Sequence, residues 1–300
     1  ALEDFFIEIN DFQSFQALLE TSLDTRHFNE IEKFADTYVK KSKDINKLEM
    51  EFKFLAELPP SLNSFFIKPH SFKKTKDQAQ YSMPRINYLD ISRRHINGDL
   101  LKEDIDILFE QLNIYFERVF EISFKKTGRE YDFISYKTKK RIDDFRNLEL
   151  FNPANDLIKF SSKFESLDHA FEQLNFFLEK NRNKINKKGS VISHGDLCFS
   201  NILASKDFRN LIFIDPMGGS IEESMKSVYY DFAKLSHSIL GQYDMIIHGL
   251  GELEFNKDME IFISFKKERN LYLEENFLQL LDKFNLNLGT TRLIEASLFL

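Results

Sequence analysis

Glycine is scarce in this chain, and none precedes Gly98. That excludes a glycine-rich, phosphate-covering loop from the whole first part of the sequence. Tryptophan is absent, and the single cysteine, Cys198, rules out an internal disulfide. Such cysteine usage is consistent with a reducing cytoplasm, where the protein is expected to reside. No apolar run approaches the ~20 residues of a membrane span, and no signal peptide is visible. An excess of basic residues is also missing: the net charge is -7. That argues against a nucleic-acid partner, whose footprint would be a basic face.

What is present is ordinary globular material with two accents. The chain has 300 residues, 42% of them hydrophobic and 30% charged, which is enough for two lobes with their own cores. Phenylalanine is abundant, at 33 residues. Together with Lys, Asn and Ile it suggests an AT-rich genome more than a special chemistry. The one local basic run, Lys137-Thr138-Lys139-Lys140-Arg141, reads as a solvated helix face. Ala1 in place of Met, and an apolar helical pattern over residues 293–300 with no cap after it, lead us to expect a piece of a longer chain.

The second accent is His194-Gly195-Asp196-Leu197-Cys198-Phe199-Ser200-Asn201, followed by Asp215 in LIFIDPMG. Residues 191–193 read as a short strand that delivers His194 and Asp196 into a tight loop, where Gly195 relieves the steric limit on a sharp turn. Residues 201–204 and 211–214 read as two strands of a hairpin joined by a polar turn. Asn201 then begins one strand and Asp215 ends the other, so the two meet at one edge. An amide oxygen beside a carboxylate suits Mg²⁺, a hard cation. One further carboxylate, Asp196, can accept the proton of a hydroxyl. Together these are the minimum equipment for moving a phosphoryl group from a nucleotide to an alcohol. The plainer alternative is a hairpin whose polar corner merely caps turns. The Asn, the second Asp and the hairpin in register favour the chemical reading. Cys198 has His194 four residues away, but the surrounding residues are explained without a nucleophilic thiol.

Before Asn97 the pattern mixes helix and strand. Residues 11–23 and 47–58 have helical periodicity, the second with Leu48, Phe52, Leu55 and Ala56 on one side and Pro59-Pro60 after it. Residues 34–41, 65–67 and 80–83 read as strands, with a polar loop over 70–77. After Asn97 helices dominate, over residues 100–123, 131–150, 167–181, 227–240 and 270–284. The only clear strands there are those flanking the His194 loop. The expectation is therefore an α+β, protein-kinase-like two-lobe fold. A nucleotide-binding N-lobe would span residues 1–86, and a helical C-lobe with the catalytic loop and acceptor site residues 87–300. The hinge would lie near residues 84–88.

H-G-D-L-x-x-x-N followed by I-D-P-x-G resembles the aminoglycoside phosphotransferase and choline kinase superfamily. Tyr230-Asp231-Phe232-Ala233-Lys234-Leu235 is similar to the Y-D-L-A-K-L segment of its bacterial members. The loop wording and the stretch from Ser236 to Asp244 look most like uncharacterised bacterial phosphotransferases of capsule and surface-polysaccharide clusters. The resemblance implies an ATP- or GTP-dependent small-molecule kinase with Mg²⁺ as cofactor. Its partners would be the nucleotide and a small-molecule hydroxyl acceptor: a sugar, a polyol or an amino alcohol. It makes Asp196 the catalytic base and Asn201 and Asp215 the metal ligands, with His194 holding the catalytic loop through hydrogen bonds. Asp231 would accept from loop N–H groups or cap a helix. The family also uses a strand Lys on the phosphates and a helix Glu paired with it. Lys40 and Glu51 are the candidates, with Lys41 and Glu49 as rivals. Two departures stand out. With no glycine before Gly98, phosphate covering would fall to a polar loop such as residues 24–29. Pro216 also stands where D-F-G has an aromatic. The first departure keeps a catalytically inactive, kinase-like nucleotide- or metabolite-binding module as the alternative. An aminoglycoside acceptor would need clustered carboxylates, of which Glu222, Glu223 and Asp231 are near in sequence.

Overall fold

The computed structural model describes residues 29–160, 164–258 and 260–300. The expected helix over 11–23 and all but Asn29 of the proposed phosphate loop lie outside them. The first described layer is an antiparallel sheet in the order β1-β2-β4-β3. Its strands are β1 (Asn29–Lys33), β2 (Thr37–Ser42), β3 (His70–Lys74) and β4 (Ala79–Pro84). Between β2 and β3 runs α1 (Ile45–Glu57). The carboxylate of Asp44 caps it by accepting from the Lys47 N–H at 3.0 Å. Leu48, Phe54 and Leu55 point from α1 into the core, and the charged Glu51 is buried on the same face.

Three expectations here are corrected. Residues 65–67 form no strand but a single bridge, Phe66 to Phe213, so they stitch the sheet layer to the hairpin over residues 202–213. Residues 70–77 are not all loop, because β3 pairs with β4 through a register shift between His70 and Lys73. The polar, exposed sequence of β3 hid a strand held by backbone bonds at the sheet edge. The strand expected over 34–41 begins only at Thr37, after a turn in which the Phe34 N–H donates to Thr37 O at 2.8 Å.

The chain leaves β4 through Pro84 and enters the larger helical part. It continues through β5 (Leu89–Asp90), α2 (Ile91–Asn97), α3 (Lys102–Ser123), α4 (Glu130–Arg146), α5 (Phe151–Phe160), α6 (Leu167–Lys180) and α7 (Arg182–Lys188). Then come β6 (Ser190–Ile192), β7 (Ile202–Ala204), β8 (Leu211–Phe213), β9 (Met225–Ser227), α8 (Tyr229–Ile239) and α9 (Tyr243–Ile247). The chain closes with β10 (Gly251–Phe255), β11 (Ile261–Phe265), α10 (Leu271–Lys283) and α11 (Leu288–Ala296). The architecture is α+β, a small antiparallel-sheet lobe followed by a helical lobe, as expected. The β10–β11 hairpin corrects the expectation that strands after Asn97 flank only the catalytic loop. Its Leu253, Phe255, Phe262 and Ile263 remain exposed, so it lacks the clean in-out alternation that marks a half-buried strand.

The helical lobe is organised around α3. Its buried residues Ile105, Leu108, Phe109, Leu112, Tyr115, Phe116 and Val119 recur at helical spacing. They meet β8 and α8 through aromatic contacts, with Tyr115 edge-on to Phe213 at 4.8 Å and Phe116 stacked on Phe232 at 4.1 Å. Phe65 and Phe66 continue this aromatic column toward the sheet lobe. Part of the abundant phenylalanine therefore joins the two lobes behind the loop that carries His194 and Asp196.

Candidate active site

The loop over residues 193–201 hangs between β6 and β7 and is tied from beneath by Asp231 on α8. The Asp231 carboxylate is buried and accepts three hydrogen bonds within 2.9 Å: from Ser193 Oγ, the His194 N–H and the Gly195 N–H. Burial pushes its carboxyl up, against the opposing effect of His194 and the loop donors. Of its two expected roles, the geometry is that of the loop acceptor; Val228 stands at the N-cap of α8. Gly195 turns at φ 80, and a Cβ there would stand 2.6 Å from Met217 Cβ.

His194 is fully buried. Its Nδ1 accepts from the Asp196 N–H at 3.2 Å, so Nε2 carries the proton and donates to Ile214 O at 2.9 Å. Burial pulls its pKa below the ordinary value. The ring stacks on Phe66 at 5.8 Å. Both nitrogens thus bind backbone, which leaves this side chain as a brace between the loop and β8.

Asp196 lies in the cleft. Its Oδ2 accepts from Asn201 Nδ2 at 3.0 Å, and Asn201 Nδ2 also donates to Asp196 O at 2.8 Å. With its NH₂ fixed in this way, the amide of Asn201 directs its oxygen away from Asp196. Across the hairpin the Ile214 N–H donates to Asn201 O at 3.0 Å, which sets Asp215 beside Asn201. Asp215 adopts φ 56, a left-handed conformation that Asp tolerates better than most residues. After it, the segment to Gly219 docks on α1. The Gly219 N–H donates to Met50 O at 2.8 Å, and a Cβ on Gly218 would stand 2.6 Å from Glu51 N. Only glycine allows that approach, which fixes Asp215 against the helix carrying Glu51.

Lys40 completes this end of the cleft. Its ammonium donates to Glu51 at 2.7 and 2.8 Å and to Asp215 Oδ1 at 2.8 Å. Burial depresses the Lys40 pKa, but Asp215 and Glu51 outweigh it and hold the ammonium above its usual range. Tyr81, opposite Lys40 in β4, donates its hydroxyl to Glu51. The rivals go elsewhere for a reason of period two. Lys41 points to the other face of the sheet and pairs with Glu32, while Glu49 pairs with Lys74 on the surface.

Lys234 escaped the reading of the sequence as a site residue. From α8 it reaches Asp196 Oδ1 at 2.8 Å. The basic run was misread in part. Lys139 and Lys140 are exposed, but Lys137 and Arg141, four residues apart and so on one face of α4, line the cleft. Their helical spacing around the buried Thr138 was the available signal. Cys198 is buried beside Asp196, and burial pushes its thiol up to about 12. Glu222 and Glu223 do not line the cleft among the described residues; Glu223 instead accepts from the Ser220 N–H at 2.7 Å.

The cleft encloses about 400 Å³. Among the described residues no cluster of three or more His, Cys, Asp or Glu side chains could hold a metal by itself. The set does fit Mg²⁺ shared with nucleotide phosphates, which needs only one or two protein oxygens of the kind Asn201 and Asp215 present. No described helix is long and apolar enough to cross a membrane.

No family model and no curated protein matches this sequence. Solved structures do share its fold. One is the aminoglycoside phosphotransferase APH(3'')-Id from Streptomyces rimosus in complex with ADP and streptomycin. It is 14% identical, with 96% of this chain and 98% of that one covered and a TM-score of 0.55. A thermostable mutant of aminoglycoside phosphotransferase APH(4)-Ia is 9% identical over 92% of this chain and 82% of that one, with a TM-score of 0.54. An aminoglycoside-3'-phosphotransferase of type VIII is 12% identical over 94% and 97%, with a TM-score of 0.50. The chain therefore has the kinase-like fold of the aminoglycoside phosphotransferases.

Proposed function

We propose that this protein is a small-molecule kinase that transfers the γ-phosphoryl group of ATP or GTP to an alcohol. The observation that carries the reading is the meeting in one cleft of Lys40 with Glu51 and Asp215, and of Asp196 with Asn201 and Lys234. Residues 1–86 then form the nucleotide lobe and residues 87–300 the acceptor lobe. Lys40, held by Glu51, turns from Asp215 to the nucleotide's phosphate oxygens. Asn201 and Asp215 would hold Mg²⁺, which would supply charge neutralisation on the nucleotide. Asp196 orients the acceptor hydroxyl and takes its proton as the oxygen bonds to the γ-phosphorus and the bond to the β–γ bridging oxygen breaks, releasing ADP or GDP. Lys234 steadies Asp196 and adds positive charge beside the transferring group. His194 acts through the loop and not on the substrate.

A sugar, polyol or amino alcohol of a capsule or other surface polysaccharide is the proposed acceptor. The surface-glycan destination rests on the wording of the loop and of the stretch from Ser236 to Asp244. The lack of glycine before Gly98 favours one rival, an inactive nucleotide- or metabolite-binding module. Thermal stabilisation by Mg-ATP followed by ADP release with a panel of alcohols tests both. Stabilisation with no turnover on any alcohol supports the module, and no stabilisation by Mg-ATP or Mg-GTP sinks the kinase.

A further inference from the structure

We propose that the acceptor alcohol carries an anionic group, a carboxylate or a phosphate ester, which is held by Lys137 and Arg141. The proposal rests on the kinase reading above and adds the charge class of the substrate. Five cationic side chains line the cleft against three carboxylates, Glu51, Asp196 and Asp215. Those three are already engaged, Glu51 and Asp215 by Lys40 and Asp196 by Lys234. Among the described residues neither Lys137 nor Arg141 has a carboxylate within ion-pair distance. Arg141 is instead anchored through Nη1 to Ser297 O at 2.9 Å, and Lys137 lies over the Phe133 ring at 5.9 Å. The ammonium of Lys137 sits below its ordinary pKa through burial and through the charges of Arg141, Lys140, Lys234 and Lys47. Cations collected without counter-charge in a concave site leave a place for an anion, and a guanidinium suits the planar, two-oxygen edge of a carboxylate or phosphate.

A second observation points to a ligand at this end. His237 lines the same cleft, is 2% exposed, and has no hydrogen-bond partner for Nδ1 or Nε2 among the described residues. Its ring is clamped between Tyr243 and Phe299, at 4.0 and 4.1 Å. A buried, rigid imidazole with both nitrogens unmet costs stability unless something polar meets it. Lys137, Arg141 and His237 all belong to the helical lobe, as do Lys234 and Asp196. The nucleotide end is taken by Lys40, Glu51 and Asp215. A polycationic acceptor would add charge where the protein already has an excess.

The test is isothermal titration of the full chain saturated with Mg-ADP, using glucose 6-phosphate, glucuronate, glucose, glucosamine and streptomycin as probes. Glucose 6-phosphate or glucuronate should bind at least about tenfold more tightly than glucose, a difference of ~1.4 kcal/mol; which of the two wins distinguishes phosphate from carboxylate. Glucosamine and streptomycin should bind no better than glucose. Lys137→Ala and Arg141→Ala should each erase about tenfold of that preference and leave Mg-ADP affinity within about twofold, which also shows that the variants are folded. A preference for the cationic probes, equal binding of all five or binding of none overturns the proposal. So does a loss of Mg-ADP affinity with the probe order intact, which would give these cations to the nucleotide and leave the kinase reading standing. Failure of wild-type protein to bind Mg-ADP would strike the kinase reading instead, and the probe order without nucleotide still decides the charge class.

Discussion

The two ends of the cleft are built on opposite terms. At the loop end Asp231, Lys40, Glu51, Asp215 and Asp196 are all partnered. Asp231 accepts three donors, His194 uses both nitrogens, and Lys40 is shared between Glu51 and Asp215. At the far end, among the described residues, Lys137 and Arg141 crowd together without a carboxylate and His237 is buried without a hydrogen-bond partner. The first arrangement holds its geometry by itself, as the proposed phosphoryl transfer would require, since its catalysis is positioning plus electrostatics. On the proposed reading the second is complete only with a ligand. Preorganised chemistry and unbalanced recognition therefore sit side by side.

The sharpest way to break this contrast is at the loop end. Asp196→Asn should lower kcat by roughly 10²- to 10⁴-fold, the range for a lost general base, with Mg-ATP affinity little changed. Steady-state kinetics together with nucleotide titration check this, and wild-type kcat at saturating acceptor would make Asp196 structural. Asp231→Ala should come next, because it strands three buried donors. A loss of about 3 kcal/mol or more is expected in urea unfolding, and a cost under ~1 kcal/mol would mean that the loop is held some other way.

At the far end the effects are smaller and depend on pH. Burial and then Lys234 depress the His237 pKa to about 3, from an ordinary 6.5. Below pH 6.5 the unfolded chain takes up a proton that the folded protein refuses until about pH 3. The stability due to neutral His237 is thus fully present above pH 6.5 and is lost as pH falls through that window. Unfolding midpoints of His237→Gln should fall less than those of wild type between pH 7 and pH 5; parallel slopes would contradict the depressed pKa. The smallest effect belongs to Lys137→Ala. Removing one of several crowded cations should change stability by less than about 0.5 kcal/mol or raise it slightly. A clear loss would show that Lys137 has a structural partner and would weaken the contrast between the two ends.

Much of the loop end was legible in the sequence, because local chain geometry places it. The hairpin over 201–215 brings Asn201 and Asp215 to one edge by strand pairing alone, and Gly195 marks the turn that presents Asp196. The helices with strong apolar periodicity, such as α3, were equally plain. The choice of Lys40 over Lys41 was not. It depends on which face of β2 meets α1, and two adjacent lysines carry no such information until the sheet is packed. Lys234 was visible as part of a segment yet silent as a neighbour of Asp196, since its reach depends on how α8 lies beneath the loop. Lys137 and Arg141 looked solvated because a charge run scores as surface whatever faces it. The hairpin, its polar edge and the helical frame follow from interactions between residues near in the chain. Which cations enter the cleft does not follow from such contacts, because burial of a charge is settled by the partners that long-range packing brings to it.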